Sequence, residues 1–156
     1  MSVERTVRLT ADGRDRLGAE LIHLREVKLK ELFQSVQNAN TNNEASDSSE
    51  YEEIKDELAY TEARVRELEQ LLEHAEIIEE GSPDGIVALG SRVTVHIEGD
   101  GDETWVIVSP EEASAPDFRI SVDSPVGQAL LGHRAGESVS VTTPGGELGF
   151  AIVEVS

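Results

Sequence analysis

The sequence from Ile54 to Ala75, IKDELAYTEARVRELEQLLEHA, decides the N-terminal half of the fold. Its apolar residues recur in alternating steps of four and three, with one polar residue in the series. The positions are Ile54, Leu58, Thr61, Val65, Leu68, Leu72 and Ala75. This pattern is the a/d seam of a coiled coil. Because charged residues fill the remaining faces, the seam is narrow and requires one partner helix.

The partner helix is predicted upstream, from Thr10, its expected N-cap, to about Asn38. Apolar residues define one face of this helix and continue along it after a phase slip in the spacing. They are Leu17, Leu21 and Leu24, then Leu29, Leu32, Phe33 and Val36. The Asn- and Ser-rich residues 38–49 favour a connection, because their side chains compete for backbone hydrogen bonds. A second helix from about Ser49 completes an antiparallel hairpin with a reach of roughly 40 Å.

The C-terminal half changes to strand-like alternation after a Gly- and Pro-containing linker at 79–85. Strands are predicted at 93–97, 104–108, 119–122, 138–142 and 150–155, with turns at 99–101 and 144–146. Ser124 followed by Pro125 predicts the start of a short helix that crosses the sheet. The expected fold class is therefore α+β. It consists of a helical hairpin at 1–78, a linker at 79–85 and a β-rich domain at 86–156.

The charge of the chain limits its possible partners. The formal net charge is −19, from 13 basic and 32 acidic residues. A field of this sign repels phosphate backbones, so the expected partner is a basic protein surface or an assembly that already holds nucleic acid. The chain has no cysteine, and neither a signal peptide nor a run of 18 apolar residues is seen in it. A cytoplasmic location is expected.

The motifs of a self-contained enzyme are missing from the sequence. Its histidines are scattered, and it has no phosphate-binding loop or nucleophile elbow. The remaining candidates are the acids of the connection, Glu44, Asp47 and Glu50, which are spaced three apart. If this arc is helical, the three carboxylates share one side, where they would attract a hard cation such as Mg²⁺. The alternative is that they are solvated turn residues.

Several stretches closely resemble the Gre transcription factors, GreA and GreB. The opening Leu9-Thr-Ala-Asp-Gly13 and the helix end at 64–75 are similar to those of the family. So is the strand at 90–95. The most specific likeness is Ile120-Ser-Val-Asp-Ser-Pro-Val-Gly-Gln-Ala-Leu-Leu-Gly132, followed by Thr143-Pro-Gly-Gly-Glu147.

This resemblance implies a fold, a partner and a docking site. The C-terminal domain would have an FKBP-like fold and would bind a coiled coil of the largest RNA polymerase subunit, at the rim of the secondary channel. The segment Asp123, Ser124 and Pro125 matches the part of the family that faces this partner. The hairpin would then extend towards the polymerase active site, so nucleic acid is met only through the polymerase. No stably bound cofactor is expected, only Mg²⁺ shared with that active site.

The tip differs from the family pattern, which reads Gly-Asp-Leu-any-Glu-Asn-Ala-Glu-Tyr. The matching stretch is Asn43-Glu-Ala-Ser-Asp-Ser-Ser-Glu-Tyr51, in which Glu44 and Asp47 exchange the two acids. In the family these acids hold a second Mg²⁺ and a water for hydrolysis of backtracked RNA. A shift of one methylene at each acid weakens such geometry. The tip looks more like that of inhibitory Gre homologues of the Deinococcus–Thermus lineage.

Four functions remain open at this point, one of them a generic coiled-coil adaptor for which the specific C-terminal motifs would be coincidence. Inhibition of transcription is slightly favoured, and stimulation of transcript cleavage is the alternative; neither makes the chain an enzyme by itself. A prolyl isomerase of the FKBP type is the third; this activity needs an apolar pocket lined by aromatic side chains, and the domain has only Trp105, Phe118 and Phe150. A hinge between the hairpin and the domain is expected near Gly81 to Gly85.

Overall fold

The computed structural model describes residues 6–41 and 49–156. The chain forms two compact units. One contains the residues up to Gly13 together with Glu76–Ser156, and the other is Arg14–Ala75. The acids Glu44 and Asp47 lie outside the described residues.

The hairpin unit is built from two antiparallel helical arms, as the heptad pattern predicts. The first arm contains α1 (Ala11–His23), a π-helical segment (Leu24–Lys28) and α2 (Leu29–Thr41). The second arm is α3 (Ser49–His74). In α3 the seam positions are buried or half-buried, with Thr61, Val65 and Leu68 fully buried. The buried Thr61 hydroxyl donates to the Glu57 carbonyl at 2.7 Å, which satisfies the one polar member of the seam.

The π-helical segment explains the phase slip of the first arm. The Leu29 N–H bonds to the carbonyl of Leu24, five residues earlier rather than four. One additional residue is thereby absorbed into the turn, and Leu32 returns to the buried face after it.

The first arm differs from the prediction in two details. It continues to Thr41 rather than ending at about Asn38. Phe33 was predicted on the apolar face, but its side chain is 50% exposed. Leu32, Val36 and Leu29 already fill that face after the π turn, and Phe33 lies to one side of them.

Ion pairs connect the two arms along the flanks of the seam. Arg64 binds Glu20 with two parallel bonds of 3.0 Å each. Lys28 lies 2.5 Å from Glu57, and Arg25 lies 3.7 Å from Glu69. Pairing with Glu57 raises the pKa of Lys28, and the bonds to Glu20 outweigh partial burial and raise the pKa of Arg64. These pairs fix the antiparallel register of the hairpin, which the apolar seam alone specifies less tightly.

The other unit is built around a five-stranded sheet. Its strands are β3 (Arg92–Ile97), β4 (Gly101–Val108), β5 (Arg119–Ser121), β6 (Ser138–Thr143) and β7 (Gly146–Val155). Their order is β5-β4-β3-β7-β6, with only the β4–β5 pair parallel. The short helix α4 (Pro125–Leu130) follows β5. Every predicted strand and the helix are confirmed, with bounds that differ by a few residues.

A second, two-stranded sheet was not predicted from the sequence. It pairs β1 (Arg8–Thr10) with β2 (Glu76–Ile78) in parallel, with Leu9 opposite Ile77. Each strand has only three residues, too few for alternation to be visible.

The core of this unit lies on one face of the large sheet. Val93, Val95 and Ile107 are fully buried there, and Leu130 of α4 packs among them. The rings of Trp105 and Phe150 meet edge to face, with centroids 5.3 Å apart. In the part of the chain that the structure describes, no helix is long and apolar enough to cross a membrane.

Candidate functional site

The segment Asp123-Ser124-Pro125 connects β5 to α4 and is held by a compact set of hydrogen bonds. The Ser124 hydroxyl donates to the Ser121 carbonyl at 2.7 Å and accepts from the Gly127 N–H at 3.1 Å. It is therefore the N-cap of α4, as predicted. The Asp123 N–H donates to the Ser121 hydroxyl at 3.1 Å.

Gly127 allows this turn to close tightly. It is buried, and a Cβ at this position would lie 2.2 Å from the Ser121 carbonyl oxygen. The side chains of Asp123 and Pro125 remain exposed, whereas Ser124 is partly buried by its capping role. The predicted triplet thus separates into two outward-facing residues and one that holds their frame.

Of the three tip acids, only Glu50 lies within the described residues. Glu50 is exposed in the first turn of α3, where a carboxylate is favoured by the positive end of the helix dipole. Within the described residues, no three His, Asp or Glu side chains come together as metal ligands. Carboxylate oxygens are the ligands that Mg²⁺ prefers, so the chemical type of the three tip acids fits that ion.

A buried charged cluster lies at the start of α1, within the unit that contains the large sheet. Arg119, at the start of β5, contacts the carboxylate of Glu112 and also that of Glu80, at 3.1 Å. It donates to the Thr10 hydroxyl at 2.6 Å. The Thr10 N–H donates to Glu112 at 3.0 Å, and the Thr10 hydroxyl accepts from the Gly13 N–H at 3.0 Å. Thr10 is therefore the predicted N-cap of α1, and it is tied to β5 as well.

Neighbouring opposite charges determine the direction in which the pKa values of Arg119 and Glu80 shift. Burial alone would lower the pKa of Arg119, but the bonds and charges of Glu112 and Glu80 outweigh it and raise the pKa. Burial would likewise raise the pKa of Glu80, but Arg92 and Arg119 lower it below its usual range. The buried arginine therefore remains a cation, surrounded by carboxylates.

Two family models together span almost the whole chain. One, described as the N-terminal domain of transcription elongation factor, matches residues 7–77, and the C-terminal model for GreA/GreB matches residues 82–156. Transcription elongation factor GreA of Roseiflexus sp. is 44% identical over 94% of this chain and 95% of its own length. The chain belongs to the GreA/GreB family.

Two further proteins are similar over nearly the whole chain. GreA of Chloroflexus aggregans is 45% identical over 97% of this chain and 98% of its own length. The solved structure of GreA factor homolog 1 (Gfh1) of Thermus thermophilus is 38% identical, covers 97% of this chain and 99% of its own, and superposes with a TM-score of 0.47. As a GreA/GreB relative, this chain is a transcription elongation factor of the Gre type, and membership implies an interaction with RNA polymerase.

The Gre resemblance pointed to the tip and to the loop at 123–125, but sequence reasoning missed the cluster around Arg119. Arg119 was interpreted only as the first residue of a strand. A signal was available, because residues 79–156 contain three basic residues against 14 acidic ones. An arginine in such a segment has many possible partners, but nothing in the spacing shows that Thr10, 109 residues earlier, is one of them.

Proposed function

We propose that this Gre-family chain binds bacterial RNA polymerase at the rim of the secondary channel and slows RNA synthesis. Asp123 and Pro125 contact the largest subunit, while Ser124 holds their loop. The hairpin then presents Glu44, Asp47 and Glu50 to the Mg²⁺ of the polymerase active site. The observation that carries this proposal is a Gre-family hairpin whose two arms are joined by ion pairs such as Arg64–Glu20. Glu50 is exposed at its far end.

A stiff hairpin supports this mode of action. A probe that acts at a distance must reach its target without bending, since misplacement by about 1 Å can cost about 10²-fold in rate. The two-bond Arg64–Glu20 pair and the Lys28–Glu57 pair resist sliding of one arm against the other. Both lie beside the seam of α3, in which Thr61, Val65 and Leu68 are buried.

The sequence of the tip favours inhibition over cleavage. Cleavage requires two acids that place a second Mg²⁺ and a water in line with the RNA phosphodiester. Here Glu44 and Asp47 stand in exchanged order, and Asn43, Ala45 and Ser48 replace the surrounding residues of the cleavage pattern. Acids in this arrangement retain affinity for Mg²⁺ and can compete with an incoming nucleoside triphosphate for the metal.

Stimulation of transcript cleavage is the alternative function. The overall identity to proteins called GreA, 44–45% for two relatives, supports it. In both cases the polymerase supplies the reaction centre and the first metal, the tip supplies further oxygen ligands, and the chain has no active site of its own. The proposed place of action is the cytoplasm.

A prolyl isomerase is not favoured by the aromatic side chains of the sheet unit. Trp105 and Phe150 are 6% and 4% exposed and pack against each other in the core. Phe118, the third aromatic residue of this unit, is half exposed instead of joining them. A peptide substrate would therefore find none of the aromatic wall that such a site needs.

The decisive experiment adds the purified protein to a backtracked elongation complex with Mg²⁺. We expect slower nucleotide addition without release of short 3′ RNA fragments; fragment release would instead establish the cleavage alternative. The double variant Glu44→Ala with Asp47→Ala should abolish either effect and leave binding unchanged. Asp56→Ala with Glu73→Ala removes two exposed acids of α3 and serves as the charge-matched control.

The docking half of the proposal is tested in the same assay. Asp123→Ala should weaken polymerase binding about tenfold or more, the loss typical of a central interface contact. Glu111→Ala, at another exposed acid of the same unit, is the control. Absence of binding by the parent protein would refute the proposed function, and full activity of the double tip variant would refute the role of the tip acids.

A further inference from the structure

Gly13, the third residue of α1, fits against the buried carboxylate of Glu112. A Cβ added at Gly13 would lie 2.1 Å from the carboxyl carbon and 2.4 Å from one carboxyl oxygen of Glu112. Both distances are far below any normal contact, so a side chain here requires Glu112 to move. By contrast, a Cβ at Gly18, further along α1, would meet nothing within 4 Å.

Glu112 cannot move without breaking the charged cluster. Its side chain is 1% exposed and accepts hydrogen bonds from the Thr10 N–H, the Thr10 hydroxyl and the Arg119 guanidinium. Withdrawal of this carboxylate would leave Arg119, at 7% exposure, without its most buried counter-ion. A buried charge that loses its partner is strongly unfavourable, so the cluster has one well-defined arrangement.

This arrangement fixes the first turn of α1 from two sides. Asp12 lies 3.5 Å from Arg119, and Thr10 caps the helix while it is bound to both Glu112 and Arg119. The residues involved come from β1, the first turn of α1, the 3₁₀ turn Pro110–Glu112 and β5. All lie within the unit that contains the proposed docking loop, Asp123 to Pro125, and this unit is called the docking unit below. The docking loop itself begins two residues after the end of β5 at Ser121.

We infer that Gly13, Glu112 and Arg119 are positioning residues. They fix the point on the docking unit at which α1, the helix that leads to the tip, begins. This inference rests on the proposed function, since it assigns the cluster a role in delivering the tip. Buried ion pairs contribute little net stability compared with apolar packing, and in some proteins they serve instead to specify a single geometry. A factor that acts at a distance needs such a geometry at the base of its probe.

The test compares Gly13→Ala with the matched control Gly18→Ala. Both variants add one methyl group to α1, and both improve its helix propensity. Gly13→Ala should leave polymerase binding within about twofold but weaken the effect on RNA synthesis by about tenfold to a hundredfold. Gly18→Ala should match the parent in both measurements. Equal activity of the two variants would overturn the inference and leave the proposed function intact.

Amide hydrogen exchange gives a readout that does not depend on the polymerase. The N–H groups of Thr10 and residue 13 should exchange about tenfold or more faster in Gly13→Ala, because their acceptors are displaced. Trp105 fluorescence reports whether the sheet core remains folded. Unchanged exchange at both amides would overturn the inference, whatever the activity.

A second pair of variants covers the case in which Gly13→Ala does not fold. Thr10→Val keeps the shape of the side chain but removes the hydroxyl that joins α1 to Glu112 and Arg119, whereas Thr10→Ser keeps that hydroxyl. We expect Thr10→Val to reproduce the loss of tip action and Thr10→Ser to restore it. If the parent itself has no effect on the polymerase, the proposed function fails and the positioning role fails with it. If the parent slows RNA synthesis and the Thr10→Val and Gly13→Ala variants slow it equally, the positioning role alone is wrong.

Discussion

Phe118 has a left-handed backbone conformation, with φ of 57°, at the end of a 3₁₀ turn. This region is strained for a bulky side chain, and the ring gains little packing because it is 49% exposed. Phe118→Asn should therefore raise the free energy of unfolding by about 1 kcal/mol, since asparagine tolerates this conformation. Urea unfolding followed by Trp105 fluorescence measures the change.

Phe33 provides the matched control for this substitution. It is 50% exposed but stands in the regular helix α2. Phe33→Asn removes the same ring at the same exposure and should destabilise the hairpin slightly, because asparagine is a poorer helix former than most residues. A destabilising Phe118→Asn would contradict the assignment of strain to that position.

At this scale the sequence allowed correct prediction of caps and failed at contacts between distant residues. Ser124 and Thr10 were recognised as N-caps because capping depends on neighbours three residues away. The bond from Arg119 to Thr10 joins residues 109 apart, and no local pattern predicts it. Neither does any pattern predict that the third residue of a helix, Gly13, must be a glycine to admit Glu112.

At the scale of secondary-structure elements, the π-helical segment indicates that deletion of one residue should stabilise the first arm. Removal of the 42%-exposed Val27 would give the first arm apolar residues in unbroken steps of four and three from Leu17 to Val36. We expect an uninterrupted α-helix and a hairpin more stable by about 1 kcal/mol, a common size for such corrections. Helical circular dichroism should show a melting temperature higher by about 3 °C.

The corresponding deletion in α3 should have the opposite effect. Ala63 is exposed, but it lies within a seam that is already continuous. Its removal would turn Val65 and Leu68 away from the partner helix, so the hairpin should melt at a clearly lower temperature. If removal of Val27 is as damaging as removal of Ala63, the π turn does not store an additional residue.

The helices and strands were predictable because their spacing repeats over many residues. Even the slip between Leu24 and Leu29 was visible in the sequence, although its form, a π turn, was not. The strands β1 and β2 were missed because each has only three residues and depends on the other for pairing. Phe33 was misplaced because a helical wheel does not indicate how wide the buried face becomes after a π turn.

At the scale of the whole molecule, acid should destabilise the sheet unit through Glu80. Folding lowers the pKa of Glu80, so its contribution is complete above about pH 4.5 and is lost as the pH falls through the lower, folded-state value. Glu80→Gln should reduce the free energy of unfolding by about 1 to 2 kcal/mol at pH 7. This difference should shrink towards zero as the pH falls below about 4.5.

Glu79→Gln is the control for the loss of charge. It removes the same charge from an exposed neighbour in a chain of net charge −19, where fewer acids reduce self-repulsion. Its difference from the parent should be small at pH 7. A Glu80→Gln difference that does not depend on pH would show that packing, rather than ionisation, accounts for its effect.

The parallel pairing of β1 with β2 has a consequence for how such proteins can diversify. Thr10 pairs with Ile78 and Arg8 with Glu76, so the points where the chain departs after β1 and re-enters at β2 are about 8 Å apart. The intervening arms form a cassette inserted between neighbouring strands, and a graft that keeps Asp12 and Gly13 should leave the Arg119 cluster and the sheet that follows unchanged. Natural selection, or an engineer, can therefore exchange one set of arms for another while the recipient scaffold stays the same.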